Sequence, residues 1–226
     1  MTDNKQAARL KSVNVWVFDL DDTLYPRVSG LWAQIDKRIS AYVKKQLEID
    51  DDEEVKRLRR HFRDTYGGAL WGMIEEYFVD ADDYLKDVHN IDYSALKPNY
   101  QLAKDISLLP GRKFIFTNAD RAHAERVLAH RGLTRCFDGI YDVTFTDFLP
   151  KPFPQAYNRF LGHFSILPEK TAMFEDSLAN IAASKKLGMT TLWVGGGETK
   201  ENPPFVDITV PQLDVFLHSL IGRLNG

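Results

Sequence analysis

The fold is decided by one stretch of the sequence, residues 13–25, which reads VNVWVFDLDDTLY. Its first half is almost continuously apolar, which is typical of a parallel strand buried on both faces. The apolar run ends at Asp19, and a second carboxylate follows two residues later at Asp21. Because side chains two residues apart in an extended chain share a direction, both carboxylates are expected to point into one crevice. Such a pair is tolerated when a divalent cation neutralises it or when the two groups share a proton.

Other short apolar runs rich in β-branched or aromatic residues follow along the chain. They span 113–116, 171–174, 190–194 and, more weakly, 208–210. Helical patterns lie between them over 122–131, 153–164 and 177–187, and two of these are expected to end at Gly132 and Gly188. This alternation predicts an α/β protein, with a Rossmann-like three-layer α/β/α core around a parallel sheet and right-handed crossovers.

The segment 26–98 breaks this alternation, because it contains helical periodicities and no convincing strand. It is large enough for a small helical subdomain but too small to be very stable alone. We therefore expect a core domain built from 1–25 and 99–226, with a small all-α cap domain over 26–98 inserted after the first strand. The acidic run at 50–54 is expected to be a solvated helix start rather than a metal site, since carboxylates there favour the helix dipole.

Composition excludes several functional classes. The 226 residues carry a net charge of −3, which gives no electrostatic footprint for a nucleic acid polymer. A single cysteine, Cys136, excludes an internal disulfide and a Cys-rich zinc site. No apolar run approaches the ~18 residues of a membrane span, and the polar segment 1–12 predicts neither a signal peptide nor a lipid anchor. We expect a soluble, cytoplasmic protein whose oligomeric state the sequence does not reveal.

The histidines are also not expected to form a metal site, because none of the six has a His-x-x-x-His partner. His123 and His130 are expected to lie on a surface helix without a catalytic role.

The strand ends carry the residues that suggest chemistry, because ligands of open α/β sheets bind outside the carboxyl ends of the strands. The second strand is followed by Thr117 and Asn118, the third by Glu175 and Asp176, and Lys151 precedes a predicted helix. Taken singly, each motif is more often a turn or a helix cap. Together they place four carboxylates, one lysine and a hydroxyl–amide pair at one sheet edge. That set suits a phosphate with a hard, oxygen-preferring cation, most simply Mg²⁺.

The same segments resemble a known family. FDLDDTLY at 18–25, FTN at 116–118, KP at 151–152 and FEDS at 174–177 are similar, in order and spacing, to the four signature motifs of the haloacid dehalogenase-like (HAD) superfamily. The helical insertion resembles its helical-cap class. The Tyr25–Pro26 pair, the GLW at 30–32 and the TDFLPKP at 146–152 are similar to the pyrimidine 5′-nucleotidase subfamily.

The resemblance implies a role for each residue. Asp19 would be the nucleophile that forms an aspartyl-phosphate, and Asp21 would protonate the leaving oxygen and later activate water. Superfamily dehalogenases lack this second aspartate, so its presence argues for phosphoryl transfer. Mg²⁺ would be held by Asp19, the backbone carbonyl of Asp21, Asp176 and Glu175, the last directly or through water. The phosphate oxygens would be bound by Thr117, the backbone amide of Asn118 and Lys151. Asn180 could orient the loop or the metal-bound water, or could equally be a surface helix residue.

Substrate choice is expected to come from the cap. Residues 66–72 suggest a glycine-flanked aromatic loop, and Trp71 or Trp32 could lie beside a flat base; the alternative is that both are cap core. The implied function is a Mg²⁺-dependent phosphomonoesterase for small phosphate esters, with UMP- and CMP-type pyrimidine nucleotides as leading substrates. The alternatives are a phosphatase of sugar phosphates or phosphoglycolate, a phosphomutase, or a non-catalytic binding protein.

Overall fold

The sheet of the computed structural model, which describes residues 9–196 and 202–224, has six parallel strands. They are β1 (Val15–Phe18), β2 (Arg112–Phe116), β3 (Gly139–Tyr141), β4 (Thr171–Glu175), β5 (Thr190–Val194) and β6 (Ile208–Val210). Their order in the sheet is β3-β2-β1-β4-β5-β6, and every neighbouring pair is parallel. The predicted α/β class is thereby confirmed. Residues 1–8, most of the polar segment considered above, lie outside the described residues.

One strand was not predicted from the sequence. β3 comprises only Gly139–Tyr141, at the edge of the sheet beside β2. Two of its three residues are only half-buried, so the sequence shows no apolar run long enough to separate a strand from a loop.

Nine α-helices lie in the described residues. They are α1 (Leu31–Leu47), α2 (Asp52–Tyr66), α3 (Ala69–Tyr77), α4 (Ala81–Val88), α5 (Tyr100–Leu108), α6 (Arg121–Arg131), α7 (Pro154–Phe164), α8 (Leu178–Lys186) and α9 (Leu213–Leu224). The predicted helices at 122–131, 153–164 and 177–187 correspond to α6, α7 and α8 within one residue at each end. None of the described helices combines the length and the apolar character that crossing a bilayer requires.

The sheet is covered on both faces, as the almost continuous apolarity of β1 predicts. Trp16 and Phe18 pack in a cluster with residues of α5, α6 and α9, whereas Val15 and Val17 pack in another with residues of α7 and α8. This alternation of side chains along β1 produces three layers, with the sheet in the middle.

The helices between β1 and β2 have an apolar cluster of their own. It contains buried residues at helical spacing, such as Ile35 and Val43 of α1 and Phe62 of α2, together with residues of α3 and α4. Val143, near the sheet, also joins this cluster. The domain boundaries at 25/26 and 98/99 remain a prediction. The acidic run starts α2, where the Asp51 side chain accepts a hydrogen bond from the Glu53 amide, as expected for a helix cap.

The expected aromatic loop at 66–72 is wrong. Gly67 ends α2 with a left-handed φ of +75°, and α3 begins already at Ala69, so that Trp71 lies in the first turn of a helix. Gly72 lies inside α3, and a Cβ there would overlap the Phe62 ring. The glycines therefore permit close packing of α2 against α3. In a sequence, glycines with this role look the same as glycines that form a loop.

Candidate active site

The register of the sheet brings the predicted residues to one edge. Phe18, the last residue of β1, lies opposite Ile115 of β2 and Phe174 of β4. Asp19 therefore leaves the sheet between the ends of these two strands, and its amide donates a hydrogen bond to the Phe174 carbonyl. The carboxyl ends of neighbouring parallel strands open onto the same crevice, which is where such folds bind ligands.

Lys151 is the cation at the centre of the crevice. Its Nζ lies 2.7 Å from Asp19 Oδ1, 2.8 Å from Glu175 Oε2 and 2.7 Å from the Phe116 carbonyl oxygen, and the side chain is 1% exposed. Burial disfavours the charge, yet the two carboxylates outweigh burial and raise the pKa of Lys151 above its ordinary value. The lysine is thus a fixed positive charge that neutralises part of the acidic site.

Three of the predicted ligands form an acidic cluster. Carboxylate oxygens of Asp19, Glu175 and Asp176 all lie within 4.8 Å of one another. Burial and the neighbouring Glu175 raise the pKa of Asp19 to about 7, and burial with Asp19 and Glu175 raises that of Asp176 to about 9. The charged forms therefore repel one another, even with Lys151 present.

This cluster fits Mg²⁺ by the chemistry of its donors. Magnesium prefers oxygen ligands and is usually bound by one or two carboxylates, with water and substrate oxygens completing the set. A divalent cation would also reduce the repulsion between the carboxylates, which the raised pKa values indicate. Asp21 contributes no carboxylate oxygen to this cluster, so its predicted backbone contact to the metal remains a prediction.

Asn118 and Lys151 are joined through the backbone. The Asn118 side chain donates to the Lys151 carbonyl at 3.0 Å and accepts from the Lys151 amide at 2.8 Å. Thr117 is buried, and its hydroxyl oxygen accepts a hydrogen bond from the Ala119 amide at 3.0 Å. The Asn118 amide group therefore orients the loop that carries the lysine, while its backbone amide is the group predicted to contact phosphate.

Asp21 is held by two side chains that the sequence analysis did not select. The Tyr25 hydroxyl donates to Asp21 Oδ1 at 2.6 Å, and His123 Nε2 lies 2.7 Å from the same oxygen. Burial favours a higher pKa, but the charge and hydrogen bond of His123 and the hydrogen bond from Tyr25 outweigh it and hold the pKa of Asp21 below its ordinary value.

α6 is a surface helix, as expected, but His123 lies on its buried face. His123 is completely buried, whereas His130 on the same helix is exposed, as expected. The sequence did contain a signal, because Ala124, Val127 and Leu128 form the buried stripe of α6 and position 123 lies on that stripe. A histidine on an apolar stripe needs a polar partner inside, and here the partner is Asp21.

The acidic centre lies in a cavity of about 850 Å³ shared with helices of the predicted cap. Trp32 of α1 and Trp71 of α3 both line it, and Trp32 is 36% exposed, so neither tryptophan belongs to the buried cap core. Asn180 of α8 is buried and also lines the cavity. The alternative of a surface position for Asn180 is therefore wrong.

The arginines of α2 do not all lie on a solvated face of the helix. Arg57 is exposed and pairs with Glu54. Arg59, Arg60 and Arg63, in contrast, line the cavity that also contains the acidic centre. Arg59 pairs with Asp36 of α1, and its side chain is 21% exposed. The cavity wall is therefore positive on the cap side, which favours an anionic ligand.

The fold and the site together define an α/β protein with an acidic centre and a buried lysine at the carboxyl ends of its central strands. A protein-family model of haloacid dehalogenase-like hydrolases matches residues 13–188. The chain belongs to the haloacid dehalogenase-like hydrolase family, as the four motifs predict.

Similar proteins include one curated relative and several solved structures. Phosphate metabolism protein 8 of Saccharomyces cerevisiae is 28% identical over 193 residues, which cover 77% of this chain and 59% of that protein. The chain thus spans less than two thirds of that relative's length. The HAD phosphatase from Thermococcus onnurineus has a TM-score of 0.61 at 16% identity, over 93% of this chain and 99% of that chain.

The fold alone does not decide the reaction. The L-2-haloacid dehalogenase from Xanthobacter autotrophicus, solved with chloropropionic acid covalently bound, has a TM-score of 0.60 at 16% identity, over 93% of this chain and 99% of that chain. A phosphatase and a dehalogenase therefore share this architecture almost equally well with the chain. The reaction must be inferred from the side chains of the site.

Proposed function

We propose that the protein is a Mg²⁺-dependent phosphomonoesterase that acts through an aspartyl-phosphate on Asp19. The observation that carries the proposal is the second carboxylate, Asp21, which lines the same cavity as Asp19 and is held by hydrogen bonds to one oxygen. Expulsion of an alkoxide needs a proton donor, whereas expulsion of a halide does not. The predicted phosphoryl chemistry thus accounts for a residue that dehalogenation would not use.

Three side chains act in the first half-reaction. Asp19 attacks phosphorus and displaces the leaving oxygen, to which Asp21 gives a proton. Lys151, already fixed beside Asp19, offers its charge to the phosphoryl oxygens. Mg²⁺, held by Asp19, Glu175 and Asp176 when bound, would supply further stabilisation of negative charge at the phosphoryl group.

The second half-reaction returns the enzyme to its starting state. Asp21, now a carboxylate, accepts a proton from a water molecule whose oxygen attacks the acyl-phosphate, so that inorganic phosphate leaves and Asp19 is regenerated. Thr117 and the Asn118 backbone amide are the groups we assign to phosphate binding during both steps.

The leading substrates we propose are pyrimidine 5′-nucleotides such as UMP and CMP. The two tryptophans of the cavity wall support a flat base, and the arginines of α2 support an anionic ligand. Sugar phosphates and phosphoglycolate are the rival substrates, since their phosphate group would fit the same site in the core.

A cytoplasmic location agrees with the single cysteine, Cys136, which is buried and unpaired with any other cysteine.

The proposal predicts metal-dependent hydrolysis in a substrate panel. Purified protein should release inorganic phosphate from UMP and CMP with Mg²⁺ and lose at least about 100-fold in rate after EDTA treatment, because the carboxylate cluster would then be uncompensated. Sugar phosphates, phosphoglycolate and purine nucleotides complete the panel, and re-added Mg²⁺ serves as the control. Hydrolysis that ignores EDTA would contradict the mechanism, and equal kcat/KM on sugar phosphates and pyrimidine nucleotides would contradict the substrate assignment.

A second prediction concerns the cavity tryptophans. Trp71→Ala should raise the KM for UMP by about 5- to 20-fold, because base stacking on an aromatic ring contributes roughly 1–3 kcal/mol. Trp32→Ala is tested in parallel, and kcat should change less than KM in both variants. Phe78→Ala, a change of a cap residue that is 90% exposed, is the control. If neither tryptophan substitution changes the KM for UMP, base stacking is not part of substrate binding.

A further inference from the structure

We propose that His123 is a positioning residue for Asp21. Its hydrogen bond to Oδ1 orients the carboxyl group so that Oδ2 faces the substrate, and it stabilises the negative charge that remains on Asp21 after proton transfer. This inference rests on the function proposed above, because it assigns Asp21 the role of general acid and base. It goes beyond the four motifs, since His123 lies outside all of them.

The two oxygens of Asp21 have different surroundings. Oδ1 receives the Tyr25 hydroxyl at 2.6 Å and lies 2.7 Å from His123 Nε2. The described residues give Oδ2 no hydrogen-bond partner, and the Asp21 side chain remains 16% exposed and lines the cavity. Two partners on one oxygen fix the plane of the carboxylate, so that Oδ2 is the oxygen presented to a leaving group.

The hydrogen bonds around His123 define where its protons are. A carboxylate oxygen accepts hydrogen bonds, so the 2.7 Å contact between Asp21 Oδ1 and His123 Nε2 places a hydrogen on Nε2. The other nitrogen, Nδ1, lies 2.9 Å from the Tyr93 hydroxyl, which is also 3.0 Å from the His89 carbonyl. The imidazole is held in one orientation by partners on both nitrogens.

Neighbouring groups fix the ring further. His89 stacks on His123 with ring centroids 4.3 Å apart and an interplanar angle of 19°. His89 Nδ1 lies 2.8 Å from Asp120 Oδ2, while the other Asp120 oxygen caps α6 by accepting from the His123 amide. This buried arrangement leaves the His123 ring little freedom to rotate, which is what preorganisation of a catalytic carboxylate requires.

The proton balance of the reaction uses this geometry directly. In its protonated form, Asp21 gives the proton on Oδ2 to the leaving oxygen as the bond from that oxygen to phosphorus breaks. The negative charge that remains on the carboxylate is met by two donors already in place on Oδ1, the Tyr25 hydroxyl and the His123 N–H. In the second half-reaction, Oδ2 takes a proton from the attacking water, and His123 keeps its own protons throughout.

The leaving group provides a test that separates positioning from general damage. We compare leaving-group release in the first turnover, by rapid quench, for an alkyl ester active in the substrate panel and for 4-nitrophenyl phosphate, whose phenolate departs without a proton. His123→Ala should slow release from the alkyl ester by about 100-fold and from 4-nitrophenyl phosphate by less than about 5-fold, with KM nearly unchanged. His123→Gln, whose amide can donate to Asp21, should restore at least a tenth of the alkyl-ester rate.

Controls keep the inference open to failure. Glu125→Ala changes a solvent-facing residue of the same helix and should leave both rates unchanged. Tyr93→Phe keeps the ring that packs on His123 but removes its hydroxyl, and should show a smaller loss with the same leaving-group selectivity. The inference would be overturned if a folded His123 variant lost rate equally on both esters. It would also be overturned if neither of the folded His123 variants lost rate. A wild-type protein inactive on every ester would instead overturn the proposed function.

Discussion

Asp19→Asn is expected to lower kcat on every phosphate monoester by on the order of 10⁵-fold, because an amide does not attack phosphorus and forms no acyl-phosphate. Asp19 is the carboxylate at the end of the central strand, and it lies against Lys151 at 2.7 Å. The measurement has two parts: steady-state phosphate release, and acid-quenched protein incubated with ³²P-labelled substrate. Wild-type protein should retain label on the chain, and the asparagine variant should retain none.

The matched control is another carboxylate of the same cavity. Asp36 lines the cavity but pairs with Arg59, away from the acidic cluster, and Asp36→Asn should retain label and keep kcat within a few-fold. Label retained by the Asp19→Asn protein would show that a different side chain is phosphorylated. The nucleophile assignment would then be wrong even if the substrate assignment were right.

Lys151→Met is expected to cost both activity and stability. The buried ammonium has three acceptors, and its removal leaves Asp19 and Glu175 side by side with no cation between them. Breaking a buried charged group of this kind destabilises a protein by about 3 kcal/mol, and loss of the phosphate-binding charge should reduce kcat/KM by about 1000-fold. Urea unfolding in EDTA gives the first quantity, and steady-state kinetics gives the second.

Added metal separates the two effects of this substitution. If the cluster binds Mg²⁺, millimolar Mg²⁺ should raise the urea midpoint of the Lys151→Met protein, because a ligand that binds only the folded state stabilises it. Activity should stay low. Lys56→Met removes an exposed lysine that pairs with Glu53, and its unfolding midpoint should not change measurably. An unfolding midpoint of Lys151→Met equal to that of wild type in EDTA would show that the lysine is not balancing the carboxylates.

The sequence predicts the layout of the sheet well because the strands that build the site are buried on both faces. β1 is a continuous apolar run and β4 contains the apolar run 172–174, and this pattern has few alternative interpretations when helical periodicity follows it. β3 has no such pattern, since it is three residues long and lies at the sheet edge. Short edge strands are specified by their neighbours more than by their own residues.

The sequence predicts the residues of the site only where their side chains lie at the ends of strands. Asp19, Glu175 and Asp176 lie at the ends of buried strands, so topology alone brings them together. The contact of His123 with Asp21 joins residues 102 positions apart, and nothing in the local pattern of α6 says which buried group the imidazole meets. Sequence patterns show that a residue is buried, but its partner depends on how α6 packs against the loop after β1.

Gly67 links the α2–α3 turn sterically to the loop of Lys151. A Cβ at position 67 would lie 3.2 Å from side-chain atoms of Pro150 and Phe153, the residues that bracket the Lys151–Pro152 pair. The left-handed φ of +75° also disfavours any residue other than glycine at this position. A change of sequence in this turn would therefore be transmitted by steric contact to the loop of the buried lysine, although the two segments lie far apart along the chain.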